Sequence, residues 1–427
     1  MTLFIGIDLG TSGCRALARD ERGEVHGRAA VALPAPECNG ASRQQAPHLW
    51  WEAVNTCLES LRGQIPMQEV TALAVDGTSA TLLLTDADGE PLGPALMYND
   101  ARATAQAQRI AARAPADTAA QGPACALAKL LWLQDEGLAG DARHALHQAD
   151  WIAARLSGRL GVSDVNNALK LGYDPVADHW PAWLDALEVP RHLLPTVVAP
   201  GTPLGTLSPQ VAQRFGLPAA AKVVAGTTDS TAAFLATGAD APGEAVTCLG
   251  STLVLKVIAE QPVFAAEYGI YSQPLMLEGK RRWLVGGASN SGGAVLRQFF
   301  NDEEMQALTP RLRPARRTCL EYYPLPSRGE RFPVNDPQLA PRLHPRPFDD
   351  ARFFQALLEG LTRIEARGYR LLAELGAPYP VSVRTTGGGA VNAAWTRMRQ
   401  LALGIPVTAA VHTEAAYGAA KLAMEQR

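Results

Sequence analysis

One pattern occurs twice in this chain and constrains it more than any other feature. A buried strand ends at a turn of glycines and small hydroxyl residues, and a second strand follows at once. At the start, Leu3–Asp8 is an apolar run ending in a carboxylate, Gly10-Thr11-Ser12-Gly13 is the turn, and Cys14–Arg19 resumes an extended pattern. Asp20–Gly23 is a further turn, and Val25–Leu33 reads as a third strand. In the second half, Ala245–Leu249, Gly250-Ser251-Thr252 and Leu253–Ile258 repeat the order strand, turn, strand. Two more buried runs end in polar turns: Val70–Val75 leads into Asp76-Gly77-Thr78-Ser79, and Ala221–Ala225 into Gly226-Thr227-Thr228-Asp229-Ser230. Strands interleaved with helical stretches predict an α/β class. The repetition predicts two domains, as does a length of 427 residues, because single cores stop growing well before that size. The boundary is expected near residue 232, which gives domains 1–232 and 233–427.

The connecting segments have their own signatures. Trp50, Trp51, Val54, Cys57, Leu58 and Leu61 share one helical face. The stretch Arg311–Asp349 is rich in proline and arginine without periodicity, and reads as a long ordered loop over the surface. Phe353, Phe354, Leu357, Leu358, Leu361 and Ile364 form the stripe of a strong helix. Val381–Arg384 is a strand, and Thr385-Thr386-Gly387-Gly388-Gly389 opens a helix that Gly404 ends. An alanine-rich helix from about Glu414 closes the chain, and the sequence leaves open whether it packs back on the first domain.

Composition removes several function classes. With a net charge of −3, the chain has no basic excess to hold nucleic acid or an anionic membrane. No run of 18 apolar residues is present, and Asp8 interrupts the opening apolar stretch, so neither a membrane span nor a signal peptide is expected. Six scattered cysteines without a CxxC pair suit reduced thiols in a cytoplasm. The eight histidines form no ligand-spaced cluster, and there is no GxxxxGK[ST], HExxH or GxSxG.

What remains are the glycine-rich turns. In Asp8-Leu9-Gly10-Thr11-Ser12-Gly13-Cys14-Arg15, backbone amides and the hydroxyls of Thr11 and Ser12 suit an anion. Arg15 suits a phosphoryl oxygen, and Asp8 suits Mg2+ held through water. Alone, the segment reads equally as a hairpin turn with a capping aspartate. Gly250-Ser251-Thr252 is weak alone, but with the first turn it suggests two anion-binding hairpins serving one nucleotide. Gly387-Gly388-Gly389, three glycines between a strand and a helix, permit close approach of a flat ring or a phosphate. Asn392 stands where the last glycine of a dinucleotide fingerprint belongs, so that reading is excluded. Asp229 suits proton abstraction from an alcohol, and equally a helix N-cap. Ser289–Gly293, with Gly293 at a helix start, fits a nearby ligand or tight helix packing.

Taken in order, these segments resemble the FGGY carbohydrate kinases over nearly the whole chain. Ile5-Gly-Ile-Asp-Leu-Gly-Thr-Ser is similar to that family's first phosphate loop, and Thr247-Cys-Leu-Gly-Ser-Thr to its second. Thr386-Gly-Gly-Gly-Ala-Val-Asn-Ala-Ala-Trp is similar to its adenosine segment, and Glu414-Ala-Ala-Tyr-Gly-Ala-Ala to its closing helix. Asp76-Gly-Thr-Ser-Ala-Thr-Leu, Ala95-Leu-Met-Tyr-Asn-Asp-Ala-Arg and Gln148-Ala-Asp-Trp through Asn167-Ala-Leu-Lys-Leu-Gly-Tyr-Asp resemble a short D-ribulose kinase subgroup related to xylulokinase-like proteins. Xylulokinases proper carry a Met-His pair where this chain has Thr78-Ser79-Ala80, and the subgroup often has glycine in place of Ala80.

The resemblance implies two ribonuclease-H-like domains of the actin-like ATPase superfold, each a mixed sheet flanked by helices, with a cleft between them. It implies ATP and Mg2+ as cofactors and a small-molecule sugar as partner, in a cytoplasmic monomer or homodimer. Asp229 falls on the family's catalytic base, and Asp8 and Asp229 on its metal ligands. Ser79, Asp229 and Ser230 are the implied sugar contacts, followed by Asp100 and Arg102. Gly10, Thr11, Ser12, Arg15, Gly250, Ser251, Thr252 and Gly293 are implied for phosphates, and Gly387, Gly388, Gly389 and Asn392 for the nucleoside. D-ribulose is the expected acceptor, with D-xylulose or another polyol as the alternative. An actin-like ATPase driven by a protein partner, and a sugar or nucleotide sensor without kinase activity, are the rivals from other classes.

Overall fold

The computed structural model describes residues 1–277 and 279–425. It divides the chain into two compact units: residues 1–236 joined by the segment from Glu414 onward, and residues 237–413.

The first unit is built on six strands: β1 (Leu3–Leu9), β2 (Gly13–Asp20), β3 (Val25–Ala32), β4 (Val70–Gly77), β5 (Pro203–Thr206) and β6 (Lys222–Thr228). They lie in the order β5-β6-β4-β1-β2-β3. The three central strands β6, β4 and β1 are parallel and the outer ones antiparallel. The second unit repeats the plan with β7 (Glu244–Leu249), β8 (Leu253–Ala259), β9 (Gln273–Leu277), β10 (Lys280–Ser289), β11 (Ser382–Thr386) and β12 (Val407–Ala409). Their order is β9-β10-β8-β7-β11-β12, and β7, β11 and β12 run parallel. Position for position, β6-β4-β1-β2-β3 corresponds to β12-β11-β7-β8-β10. The repeat seen in the sequence is therefore a repeat of sheet topology.

The central strands are largely buried: all seven residues of β1 are, apolar but for Gly6 and the Asp8 near its end. Such strands need cover on both faces, and helices supply it. Helix α1 (Pro47–Arg62) turns Trp50, Val54, Cys57, Leu58 and Leu61 onto the first sheet. Helices α2 (Ala126–Asp135), α3 (Gln148–Ser157) and α4 (Asp229–Ala236) complete the elements of this unit that matter below. In the second unit, the 25-residue α5 (Asp350–Glu374) buries the predicted phenylalanine and leucine stripe, and α6 (Ala393–Leu403) follows the triple glycine.

Two details differ from the expected boundaries. The expected break near residue 232 falls inside α4, and the division comes after Ala236, where that helix ends. The closing helix α7 (Ala415–Met424), assigned above to domain 233–427, groups with the first unit. It lies against β1 so closely that a Cβ on Gly6 would sit 1.9 Å from the Ala416 carbonyl oxygen. Only glycine opposite a face of alanine and glycine allows that approach, which accounts for the composition of α7. Arg311–Asp349 is, as expected, a long connection. After the 3-10 turn Thr309–Arg311 it holds only isolated bridges until α5 begins.

Candidate functional site

Three parallel strands bring three acids to one end of the first sheet. Asp8 on β1 is in register with Asp76 on β4, and Asp76 with Thr227 on β6. Two residues after Thr227, Asp229 opens α4. Ligands of open α/β sheets gather at these carboxyl ends, where apolar strand gives way to turn. Asp76 is fully buried, and neither of its oxygens has a hydrogen-bond donor among the described residues. Burial, reinforced by the charges of Asp8 and Asp229, holds its carboxyl well above the usual range. Burial also raises Asp8, but the contacts from Asp76 and Arg15 oppose the shift. Arg15 is exposed and donates through Nη1 to Asp8 Oδ2 at 3.2 Å. Asp229 is half-buried, and its Oδ1 accepts the Ser230 amide at 2.6 Å. Asp229 thus opens a helix, and its charge reaches Asp76.

The loops around the trio differ in how their groups are used. In the β1–β2 hairpin, the Gly10 amide closes the turn on the Gly13 carbonyl at 3.0 Å. That leaves the half-buried Thr11 and the exposed Ser12 and Arg15 at its tip. After β4, Gln148 Oε1 accepts from the Thr78 amide (3.1 Å) and hydroxyl (2.9 Å). Ala80 is left-handed, with φ of 68°. Lys129 from α2, fully buried, donates to the Ala80 carbonyl at 2.8 Å and the Met97 carbonyl at 2.7 Å. Burial lowers the Lys129 amine to about 7. These ties fix the loop that carries the half-buried Ser79.

Asp100 and Arg102, expected as sugar contacts, are committed to each other. The Asp100 carboxylate is wholly buried and receives Arg102 Nε at 3.0 Å, Arg102 Nη2 at 2.7 Å and the Arg43 amide at 2.6 Å. The Arg102 guanidinium lies 4.7 Å from the Trp132 ring. Their pairing is a packing device, because a buried carboxylate requires a donor on each oxygen.

In the second unit the glycine turns converge. The β7–β8 turn, Gly250-Ser251-Thr252, takes the Gly293 amide on the Gly250 carbonyl at 2.8 Å and the Ala294 amide on the Ser251 carbonyl at 3.1 Å. Gly387 has φ of 81°, and a Cβ there would meet the Leu249 carbonyl oxygen at 2.6 Å, so the triple-glycine loop lies directly on the β7 end. Gly387 and Gly388 are exposed. Asn392 caps α6 by accepting the Trp395 amide at 2.9 Å and donates to the Thr309 hydroxyl at 3.1 Å. Beneath these loops Arg399 is fully buried. It is bidentate on Glu365 at 2.7 and 2.6 Å and bonded to Thr385, while Glu365 also accepts from Thr247.

Residues 3–236 match the N-terminal domain, and residues 245–426 the C-terminal domain, of the FGGY family of carbohydrate kinases. The chain belongs to this family. Among its relatives, the xylulose kinase of Escherichia coli K12 is 28% identical over 415 residues, 93% of this chain and 84% of that one. A xylulose kinase of Streptomyces coelicolor is 32% identical over 275 residues, 58% of this chain and 53% of that one. Among solved structures, a xyloylose kinase from Brucella ovis aligns with a TM-score of 0.88 at 25% identity, covering 99% of this chain and 90% of that one. The FGGY C-terminal domain runs in sequence to residue 426, whereas α7 packs with the first unit, so family boundary and packing unit part company at the last helix. The family makes this chain a carbohydrate kinase with the two-domain α/β fold of the actin-like ATPases.

Three site residues of this FGGY chain escaped the reading of the sequence as functional groups. Asp76 carried a signal, since Val75-Asp76-Gly77-Thr78 echoes Ile7-Asp8-Leu9-Gly10-Thr11. Lys129 carried another, as a lone charge in Ala126–Leu133. Gln148 carried none, because its role depends on meeting Thr78 across the fold. The donor set suits Mg2+: three acids at one sheet end, one of them buried without a donor, form a concentration of negative charge that a hard divalent cation relieves.

Proposed function

We propose that this protein transfers the γ-phosphoryl group of ATP to the terminal C5 hydroxyl of a ketopentose. The observation that carries the reading is the Asp8, Asp76 and Asp229 trio at the ends of three parallel strands. Asp229 is the member that opens a helix and is only half-buried, so it can reach an incoming hydroxyl. In this reading Asp229 accepts the hydroxyl proton as the sugar oxygen bonds to the γ-phosphorus, and the bond to the β,γ-bridging oxygen breaks to release ADP. Ser79 and Ser230 orient the sugar. Thr11, Ser12, Arg15, Gly250, Ser251 and Thr252 hold phosphates, Gly293 closes on the second hairpin, and Gly387–Gly389 with Asn392 border the nucleoside. Asp8 and Asp229 would hold Mg2+, chiefly through water, and the ion supplies charge neutralisation for the transferring phosphoryl group. Phosphoryl transfer depends mainly on positioning and charge stabilisation, which fixed loops on rigid sheets are suited to give.

D-ribulose is the first choice of acceptor, because Thr78-Ser79-Ala80 replaces the Met-His pair of xylulokinases proper. D-xylulose is the second, favoured by the names of the relatives. The test is ADP release with MgATP against D-ribulose, D-xylulose, L-ribulose, glycerol and a no-sugar blank. Stimulation by D-ribulose above all others upholds the first choice, and stimulation by D-xylulose upholds the second. A blank rate that no sugar raises would overturn the ketopentose reading.

A further inference from the structure

The long connection Arg311–Asp349, which the proposed chemistry leaves unused, carries a second site. Its first residues and the start of α5 line a concavity of about 870 Å³. Five arginines face it, Arg311, Arg313, Arg316, Arg317 and Arg352, against the single acid Asp349. Arg311 is paired with Asp349 at 2.7 Å. Among the described residues, no carboxylate pairs with Arg313, Arg316, Arg317 or Arg352. A chain with a net charge of −3 has therefore gathered an uncompensated positive charge in one hollow.

The hollow is built in advance of any ligand. Gln355 of α5, only 5% exposed, holds the arginine turn by its backbone. Its Oε1 accepts the Arg313 amide at 2.8 Å, and its Nε2 donates to the Arg313 carbonyl at 3.1 Å and the Arg316 carbonyl at 2.7 Å. Glu359, one turn on, accepts the Thr318 hydroxyl at 2.6 Å. A merely solvated basic face leaves its arginines free to splay. Here a buried amide ties down the backbone of Arg313 and Arg316, so the turn that carries the arginines is ordered beforehand. Guanidinium in place of ammonium favours planar, two-pronged bonding to phosphate. The volume suits a small molecule, and a net charge of −3 disfavours a long polyanion as the occupant.

We propose that this hollow binds a phosphorylated small molecule bearing at least two phosphate groups, at a site separate from the glycine turns. Sugar bisphosphates and nucleoside polyphosphates share that chemistry, and inorganic pyrophosphate is the simplest probe of it. The experiment is calorimetric titration of the full chain with pyrophosphate, with and without a saturating non-hydrolysable ATP analogue, repeated for Arg316→Ala and for Arg313→Ala/Arg317→Ala. The expected result is binding that persists with the analogue present, falls about 10-fold or more for each arginine removed, and weakens with salt. Sugar kinase activity and melting temperature of the variants should stay at the wild-type level, which shows that they fold. Repeating the titration with a bisphosphate sugar and with ADP then separates the two sources. Absence of binding, or binding that the ATP analogue abolishes and the substitutions leave unchanged, overturns the proposal. So does binding of an acidic peptide without any response to pyrophosphate.

Discussion

The two hairpins at β1–β2 and β7–β8 have the same topology and opposite electrostatics. Aligned by their turns, Asp8 corresponds to Cys248, and the residues across from them are Asp76 and Thr386. In the first unit two acids face each other across neighbouring parallel strands, one without a donor. In the second, the same positions are neutral, and the buried charges beneath them are matched: Arg399 is bidentate on Glu365. The difference teaches how one architecture serves two tasks. In the proposed reaction the pair of acids suits a cation and a reacting hydroxyl, while the hairpin tip beside them is left for phosphate. In the same proposal, a neutral turn of small residues over a satisfied ion pair suits a polyanion, because no charge competes with it.

That contrast can be broken or sharpened by substitution. The largest expected effect is from Asp229→Asn, which should lower kcat by about 10²–10⁴ while leaving the melting temperature near its original value. Near-normal turnover would remove Asp229 from the role of base. Next, Arg399→Met should destabilise the second unit by about 3–5 kcal/mol in urea unfolding, because Glu365 is left buried without its partner. The counterpart in the first unit, Asp76→Asn, should leave stability unchanged or raised and lower kcat by about 10–100-fold through misplacement of Asp8. Equal losses of stability in the two variants would erase the distinction between a strained and a satisfied core.

A smaller effect comes from importing the acid. Cys248→Asp should raise the KM for ATP about fivefold with the sugar KM unchanged, since one added charge near a polyanion costs on the order of 1 kcal/mol at a partly solvated site. An unaltered ATP KM would mean that the second hairpin does not hold phosphate. A further test is a pH dependence of stability at Lys129. Its amine is lowered from 10.5 to about 7, so from about pH 7 to 10.5 the unfolded chain binds the extra proton, and folding stability rises with pH across that window. Denaturant midpoints taken from pH 6.5 to 9 should show this rise in the wild type and a flatter line in Lys129→Met. Parallel lines would mean that the buried amine stays charged.

Much of this was legible before any coordinates, and for physical reasons. Strand runs such as Leu3–Leu9 and Leu253–Ala259 are mostly apolar because they are largely buried, and the turns that end them are small, so their order along the chain is written in composition. The triple glycine is equally visible, since at Gly387 no side chain fits beside the Leu249 carbonyl. Residues whose role depends on a distant partner were not visible. Asp100 and Arg102 look like ligand contacts in a polar segment, yet they neutralise each other in a buried pair. Gln148 acquires a role only when folding sets it against Thr78.

By itself, the sequence determined the class, the duplicated strand-turn-strand order, the glycine turns and the aspartate after the last central strand of the first unit. These are local matters of periodicity, chain conformation and side-chain size. The tertiary structure alone decided that Asp76 stands beside Asp8, that Lys129 holds the Ser79 loop, that α7 returns to the first unit and that α5 ties down an arginine hollow. Each of those depends on which distant segments meet, and on which buried charges find a partner there.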